Sequence, residues 1–375
     1  MSKWEMVRLG DIAKITKGTK VERTDRSLGT IRFLQIGDLR NDNCIKWCDP
    51  SDKYTQTTPD DVVIAWDGAN AGTIGYGLSG VIGSTLAKIS FNRPLVSEYI
   101  GLYLQGKFTY LQETCNGATI PHINRKALDK LQLPLPPLAE QKRIADVLDT
   151  ASGLIKKRKE QIRLIDQLAK SLFVEMFGDP VENPRGWEHI QLDIVCHLIT
   201  DGTHQPPKYV DQGIPFLLVS NIVNNNLTYE TEKYITRDDY KILIKRTPVV
   251  IGDILLSIVG SYGNPAIIRS TKEFCFQRHI AYIKPNQNLI SSVYLHSAFL
   301  SSFVKNQIED KVKGVAQKTL NLSELKKIII PLPPLSLQKE FADRIDAIEK
   351  QKALFETGLE KLEMNYRALM QEYFG

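Results

Sequence analysis

The sequence is written twice, which restricts the chain to folds built from two similar units. Trp4-Glu5-Met6-Val7-Arg8-Leu9 returns as Trp187-Glu188-His189-Ile190-Gln191-Leu192, an offset of 183 residues. Ile15-Thr16-Lys17-Gly18-Thr19-Lys20 faces Ile199-Thr200-Asp201-Gly202-Thr203-His204 at an offset of 184. Ile31-Arg32-Phe33-Leu34 matches Ile214-Pro215-Phe216-Leu217, and Asp61-Val62-Val63-Ile64 resembles Asp253-Ile254-Leu255-Leu256, where the offset has grown to 192. From Gly117 against Gly314 to Gly178 against Gly375 it then stays at 197.

Surface loops absorb length changes cheaply, whereas one residue inserted in a helix turns its face by about 100°. The stretch of constant offset is therefore predicted to be helix. It begins after Leu133-Pro134-Leu135-Pro136-Pro137-Leu138 in the first copy and Leu332-Pro333-Pro334-Leu335 in the second, and Gly178-Asp179-Pro180 stops the first. Because the Pro-rich run precedes a helix in both copies, it reads as a rigid turn setting the helix exit angle rather than a polyproline ligand. Ile144, Leu148, Ala151, Ile155, Arg158, Ile162, Ile165, Ala169, Leu172 and Met176 are spaced alternately by four and three, a heptad seam. The second copy places Phe341, Ile345, Ile348, Lys352, Phe355, Leu359, Leu362, Tyr366, Leu369 and Tyr373 at the same positions. Arg158 is expected to pair with an acidic group of the other helix such as Glu356 or Glu360, and the run Lys156-Lys157-Arg158-Lys159 is otherwise read as a solvated face.

Ahead of each helix, short β-branched runs such as Val62-Val63-Ile64-Ala65, Val249-Val250-Ile251 and Ile254-Leu255-Leu256-Ser257 lie between Gly, Asn and Asp turns. The expected fold is α+β, with two tandem mixed α/β domains at 1–137 and 187–334. Each is followed by a long helix, at 138–178 and 335–375, with a linker at 179–186. The helices are expected to pair as an antiparallel coiled coil with pseudo-twofold symmetry, since each then offers the other the same face.

Several function classes fall away. The five cysteines, Cys44, Cys48, Cys115, Cys196 and Cys275, are odd in number and scattered, which argues against a disulfide framework, and no second Cys or His pair stands near Cys44 and Cys48 at zinc-ligand spacing. No run approaches the roughly 18 apolar residues that span a bilayer. Met1-Ser2-Lys3-Trp4-Glu5 lacks the apolar core of a signal peptide, so a cytoplasmic protein is expected, with no membrane partner and no metal. Catalytic motifs are missing as well. Asn183-Pro184-Arg185-Gly186 and Asn264-Pro265-Ala266 lack the second Pro and aromatic ring of an adenine methyltransferase loop, and no Gly-rich loop of the triphosphate-binding type occurs. Asp60 and Glu140-Gln141-Lys142 are too far apart to suggest a nuclease site, and Leu337 stands where Glu140 does in the first copy. His122, His204 and His279 have no Ser or Cys partner at a recognisable spacing.

The set Ile199-Thr200-Asp201-Gly202-Thr203-His204 with Pro206, Pro207 and Tyr209, the Phe33-Leu34 and Phe216-Leu217 strands, Gly252-Asp253-Ile254-Leu255, and Pro134-Leu135-Pro136-Pro137-Leu138 followed by Glu140-Gln141 is similar to type I restriction-modification specificity subunits. The resemblance covers nearly the whole chain. It implies two target-recognition domains, each reading one half of a bipartite double-stranded DNA site, and spacer helices that dock two methyltransferase subunits. Restriction and translocase subunits would join that assembly. No cofactor is expected on this chain; S-adenosylmethionine, ATP and Mg would belong to the partners. Leu337-Gln338 in place of Glu140-Gln141 makes the docking surfaces less than symmetric. The alternative reading is a coiled-coil scaffold with two protein-binding domains and no DNA role.

For DNA contact the useful groups are Arg and Lys for phosphates and guanine, Asn and Gln for adenine, and Gly where backbone must come close. The net charge of +5 is compatible with such a partner without demanding it. In the first domain the loops offer Lys17, Gly18, Thr19, Lys20, Arg23, Arg26, Arg40, Asn41, Asn70, His122, Asn124 and Arg125. In the second they offer Asp201, Thr203, His204, Gln205, Lys208, Tyr209, Asn221, Asn224, Ser261, Tyr262, Asn264, Arg278, Lys313, Gln317 and Lys318.

Overall fold

Each copy is closed on itself by pairing its first strand with the strand that enters its Pro-rich turn. Met6–Arg8 runs antiparallel to Gln132–Pro134, and Glu188–Gln191 to Ile329–Leu332. The computed structural model describes residues 4–117, 119–205, 207–314 and 318–375. Between the closing strands lies a four-stranded antiparallel sheet. Its order is Ala13–Lys17, Leu86–Phe91, Val62–Ala65, Ile74–Tyr76 in the first head and Cys196–Asp201, Ile280–Pro285, Ile254–Ser257, Pro265–Ile267 in the second. Val62–Ala65 and Ile254–Ser257 are buried at every residue, which is why they read as unbroken runs and not as alternating ones.

A second sheet packs beside the first in each head. It comprises Lys46–Cys48, Ile31–Leu34, Gly80–Ile82 and Gln56–Thr57 in one head, and Tyr234–Ile235, Ile214–Leu217 and Cys275–Phe276 in the other. Both contain a parallel pairing with the Phe-Leu strand, Leu34 opposite Ile82 and Leu217 opposite Phe276. The duplication is thus one of topology as well as of letters.

The helices Leu138–Phe177 and Leu335–Phe374 have 40 residues each. Pro137 and Pro334 stand just before their first residues, and their carbonyls accept from the amides of Gln141 at 3.0 Å and Gln338 at 3.1 Å. A proline suits that place because the first helical amides need no partner within the helix. The glutamine side chains then clamp the turn to the head. Buried Gln141 donates through Nε2 to the Pro136 carbonyl at 2.8 Å and accepts from the Val96 amide at 3.1 Å. Gln338 repeats this with Pro333 at 2.8 Å and the Ser291 amide at 2.8 Å. The first helix stops at Gly178, whose φ of 79° suits glycine, and whose amide donates to the Val174 carbonyl at 2.8 Å.

The compact units do not follow the copies. One contains the chain up to Lys159 together with Thr357–Gly375, and the other Glu160–Glu356, so both helices are divided between units. In the first unit Ile144, Ala145 and Leu148 join the core of the first head, and so does Phe374 from the far end of the chain. Its ring lies 5.2 Å from that of Tyr99 and 5.5 Å from that of Tyr103. The start of the first helix and the end of the second run antiparallel here: Arg143 stacks over Tyr373 at 5.6 Å, and Lys159 Nζ is 2.8 Å from Glu363 Oε1. Ile155, Leu359, Leu362 and Leu369 are half-buried along this stretch. Arg158 lies over Gly358, where an added Cβ would fall 2.1 Å from Nη1, so the missing side chain makes room for the guanidinium. Lys156, Lys157 and Lys159 are exposed.

In the second unit the roles are exchanged. Leu172, Phe173, Met176 and Phe177 of the first helix enter the core of the second head with Phe341 and Ile345 of the second. Phe177 lies 4.8 Å from Tyr294 and 5.1 Å from Phe341, within the range of edge-to-face pairs. Ile162, Ile165, Ile348 and Phe355 are half-buried. The polar seam residue Lys352 is neutralised by Asp166, 2.7 Å away.

This packing makes a remote prediction. Phe374→Ala is expected to destabilise the first head by about 3–5 kcal/mol. Hydrogen exchange should show lost protection of Val62–Ala65, while Ile254–Ser257 in the other unit keep theirs.

Candidate nucleic-acid interface

At one end of the central sheet of the first head, four chain segments converge. The strand Ala13–Lys17 runs on into Gly18 and Thr19, where the Gly18 amide donates to Leu86 at 2.8 Å and Thr19 bridges Gly83 in parallel. The Trp66 amide donates to Thr85 at 2.8 Å, and the Ile123 amide to Trp66 at 2.9 Å. This brings Lys17, Thr19, Asn70 and His122 of the expected residues to one rim, with Arg40 joined to it through a 2.8 Å bond to Asn70 Oδ1.

Asp67 organises the centre of that rim. Lys17 Nζ lies 2.7 Å from one carboxylate oxygen and His122 Nδ1 2.6 Å from the other. Partial burial pushes the Asp67 carboxyl up, but the hydrogen bonds from Lys17 and His122 and the charge of Lys17 outweigh it and hold the group below its ordinary value. It is ionised at neutral pH.

The second head builds the same rim from the same segments. Thr203 bridges Gln277 in parallel, the Arg278 amide donates to Thr203 at 3.0 Å, and the Ile258 amide to His279 at 2.9 Å. The Gly260 amide donates to Lys318 at 3.0 Å, and Lys313 bridges Thr319. Thr203, His204, Ser261, Tyr262, Asn264, Arg278, Lys313 and Lys318 are therefore gathered together. Lys318 Nζ is 5.9 Å from the Tyr262 ring, and Asn264 Nδ2 donates to the Ser261 carbonyl at 3.1 Å. Asp201 is buried at the base of this rim, with its carboxylate bound by Arg246 and, at 2.9 Å, by His204 Nε2.

Some residues singled out for DNA contact have other work. Gly18 was chosen because backbone could approach DNA there. The backbone it approaches is its own: an added Cβ would lie 2.2 Å from the Gly83 carbonyl oxygen, and Gly202 meets Phe276 at the same distance. Asn221 is interior. Its Oδ1 accepts from the Leu218 amide at 2.9 Å and its Nδ2 donates to Thr228 and Glu230, so its bonding capacity is used in folding, as that of Asp38 is at the matching turn of the first head. Asn224, with φ of 49°, shapes the turn between Ile222–Val223 and Asn226–Leu227.

Asn124 caps the short helix Arg125–Asp129, within which Arg125 pairs with Asp129. Arg26 lies over the Trp47 ring at 4.9 Å, and the Tyr209 ring packs tilted against Phe216 with centroids 5.5 Å apart. Asn41 accepts from the Asn43 amide at 3.1 Å. Lys20, Arg23, Gln205 and Lys208 are exposed. Gln317 and Pro206 lie outside the described residues. Two rim residues, Asp67 and Arg246, were missed, because their partners are 55 and 45 residues away and no local pattern links them.

Among the described residues no group of three or more His, Cys, Asp or Glu is placed to hold a metal, and no helix is long and apolar enough to cross a membrane. The family of the type I restriction modification DNA specificity domain matches residues 1–164 and again 184–364. The chain belongs to this family. It is 26% identical to the MjaVIII specificity subunit of Methanocaldococcus jannaschii, over 98% of this chain and 91% of that one. To the EcoBI specificity subunit of Escherichia coli it is 25% identical, over 93% of this chain and 81% of the relative. In fold it is similar to the type I restriction-modification S subunit from M. genitalium, with a TM-score of 0.62 and 15% identity over 100% of this chain and 96% of the other. A further chain, from work on complex assembly and conformational transition of the type I R-M system, aligns with a TM-score of 0.54 and 20% identity over 99% and 97% of the two chains. These likenesses make the chain a type I specificity subunit, two family repeats long.

The glycine crossing makes a testable point about the family fold. Gly18→Ala and Gly202→Ala are each expected to cost about 1–3 kcal/mol or more through forced backbone movement. Gly37→Ala, with nothing within 4 Å of the added Cβ, should be near neutral in the same denaturant titration.

Proposed function

We propose that this chain is a DNA reader that performs no chemistry itself. Each head recognises one half of a bipartite double-stranded site, and the long helices set the gap and dock two methyltransferase subunits. Restriction and translocase subunits complete the assembly, and S-adenosylmethionine, ATP and Mg are held by those partners. One observation supports this above the others: the two heads share a backbone frame but carry different groups at matching rim positions. Lys17 and Asp201 both end the first strand of the central sheet, opposite Ala87 and Ala281. His122 and Thr319 occupy matching bridges, as do Asp67 and Val259. Two readers of two different half-sites need that combination, whereas two adaptors for one protein partner would repeat the same surface.

Reconstituted with its methyltransferase subunits, S-adenosylmethionine and genomic DNA, the chain should direct adenine methylation to a two-part motif with a fixed gap. Binding by the assembled complex should weaken steeply with salt, as phosphate contacts do. Random methylation, or DNA binding indifferent to salt, would favour the scaffold reading.

A second measurement addresses the spacer. Four residues added to the first helix after Lys159 and four to the second after Glu356 are expected to lengthen the gap and leave both half-sites unaltered in base identity. A change of bases would count against the helices as spacers.

A further inference from the structure

Each rim holds one exposed histidine clamped through a single ring nitrogen by a carboxylate that a cation neutralises. In the first head the clamp is Asp67 on His122 Nδ1, with Lys17 as the cation. In the second it is Asp201 on His204 Nε2, with Arg246 as the cation. The clusters come from unlike positions, since Asp201 stands where the first head has Lys17 and Val259 where it has Asp67. The carboxylates are largely covered, at 17% and 9% exposure, while the imidazoles are about half exposed, at 49% and 55%.

An ionised carboxylate only accepts hydrogen bonds, so the ring nitrogen facing it carries the proton. In the neutral imidazole the other nitrogen is then an acceptor. That outward acceptor is Nε2 in His122 and Nδ1 in His204. An acceptor has nothing to offer a phosphate oxygen, which is itself an acceptor. In the major groove its complements are the exocyclic amino groups of adenine and cytosine. Lys17 and Arg246 cancel the carboxylate charge that would otherwise repel the duplex.

We propose that His122 and His204 are the residues that each read an amino-bearing base edge, adenine N6 or cytosine N4, in their respective half-sites. Asp67 and Asp201 are positioning residues that fix which ring nitrogen accepts. This deepens the proposed DNA-reading function and rests on it.

The test is the methylated motif left on genomic DNA by the complete methyltransferase complex. The unaltered complex should specify adenine or cytosine at one or more positions in each half. His122→Ala should relax one such position in one half by about tenfold, the scale of a lost base contact, and leave the other half intact. His204→Ala should do the converse. His122→Gln and His204→Gln, which keep an acceptor, should restore part of the preference. Asp67→Asn can donate to Nδ1 and so turn Nε2 into a donor, shifting preference at that position toward guanine or thymine.

Unchanged base identity in both alanine variants, with or without lower total methylation, would overturn the proposal. So would failure of both the Ala and Gln variants to assemble, which would assign the rings to the fold. If the unaltered complex left no two-part motif, it is the DNA-reading function that would fall, before the histidines were at issue.

Discussion

Neither head completes its own core: each is finished by aromatic residues at the end of the helix that belongs to the other copy. Phe374 closes the first head against Tyr99 and Tyr103, and Phe173 and Phe177 close the second against Tyr294 and Phe341. Large buried rings contribute heavily to core stability, so the folding of each head depends on where the other copy's helix ends. A one-residue change in helix length would turn those rings off the core face. This accounts for the constant offset of 197 residues through the helical part, beside the drift allowed in the loops.

The junction between head and helix is equally constrained. Gln141 and Gln338 are buried, and each satisfies a head amide and a carbonyl of the Pro-rich turn. An unsatisfied buried amide costs about 1–3 kcal/mol, so the glutamine is retained while its neighbour varies between Glu140 and Leu337. The rims obey a looser rule. Their backbone frame is repeated down to the Gly18 and Gly202 crossings, whereas the side chains projecting from it differ. A scaffold held by backbone contacts leaves those side chains free to diverge without loss of stability.

Much of the architecture was legible because it is periodic or repeated. The heptad spacing is read from neighbours three and four residues apart, and every position of that seam is buried or half-buried. The candidate interface was less legible. Amide and glycine residues were chosen by chemistry, and the same chemistry that suits a base edge also suits a turn. Asn221 is an interior cap, and Gly18 makes room for a neighbouring strand. Asp67 and Arg246 were invisible, since each meets its partner only across strands that are distant in sequence.

By itself the sequence determined the duplication, the two helices and their apolar face, and the mixed α/β character of the heads, because these follow from local spacing and turn chemistry. The tertiary structure alone decided that each core borrows its last rings from the other copy. It also decided which polar side chains stand at a rim and which are used within the fold, and which nitrogen of each rim histidine is held. Those outcomes depend on close approach between residues far apart along the chain, and no local pattern encodes that approach.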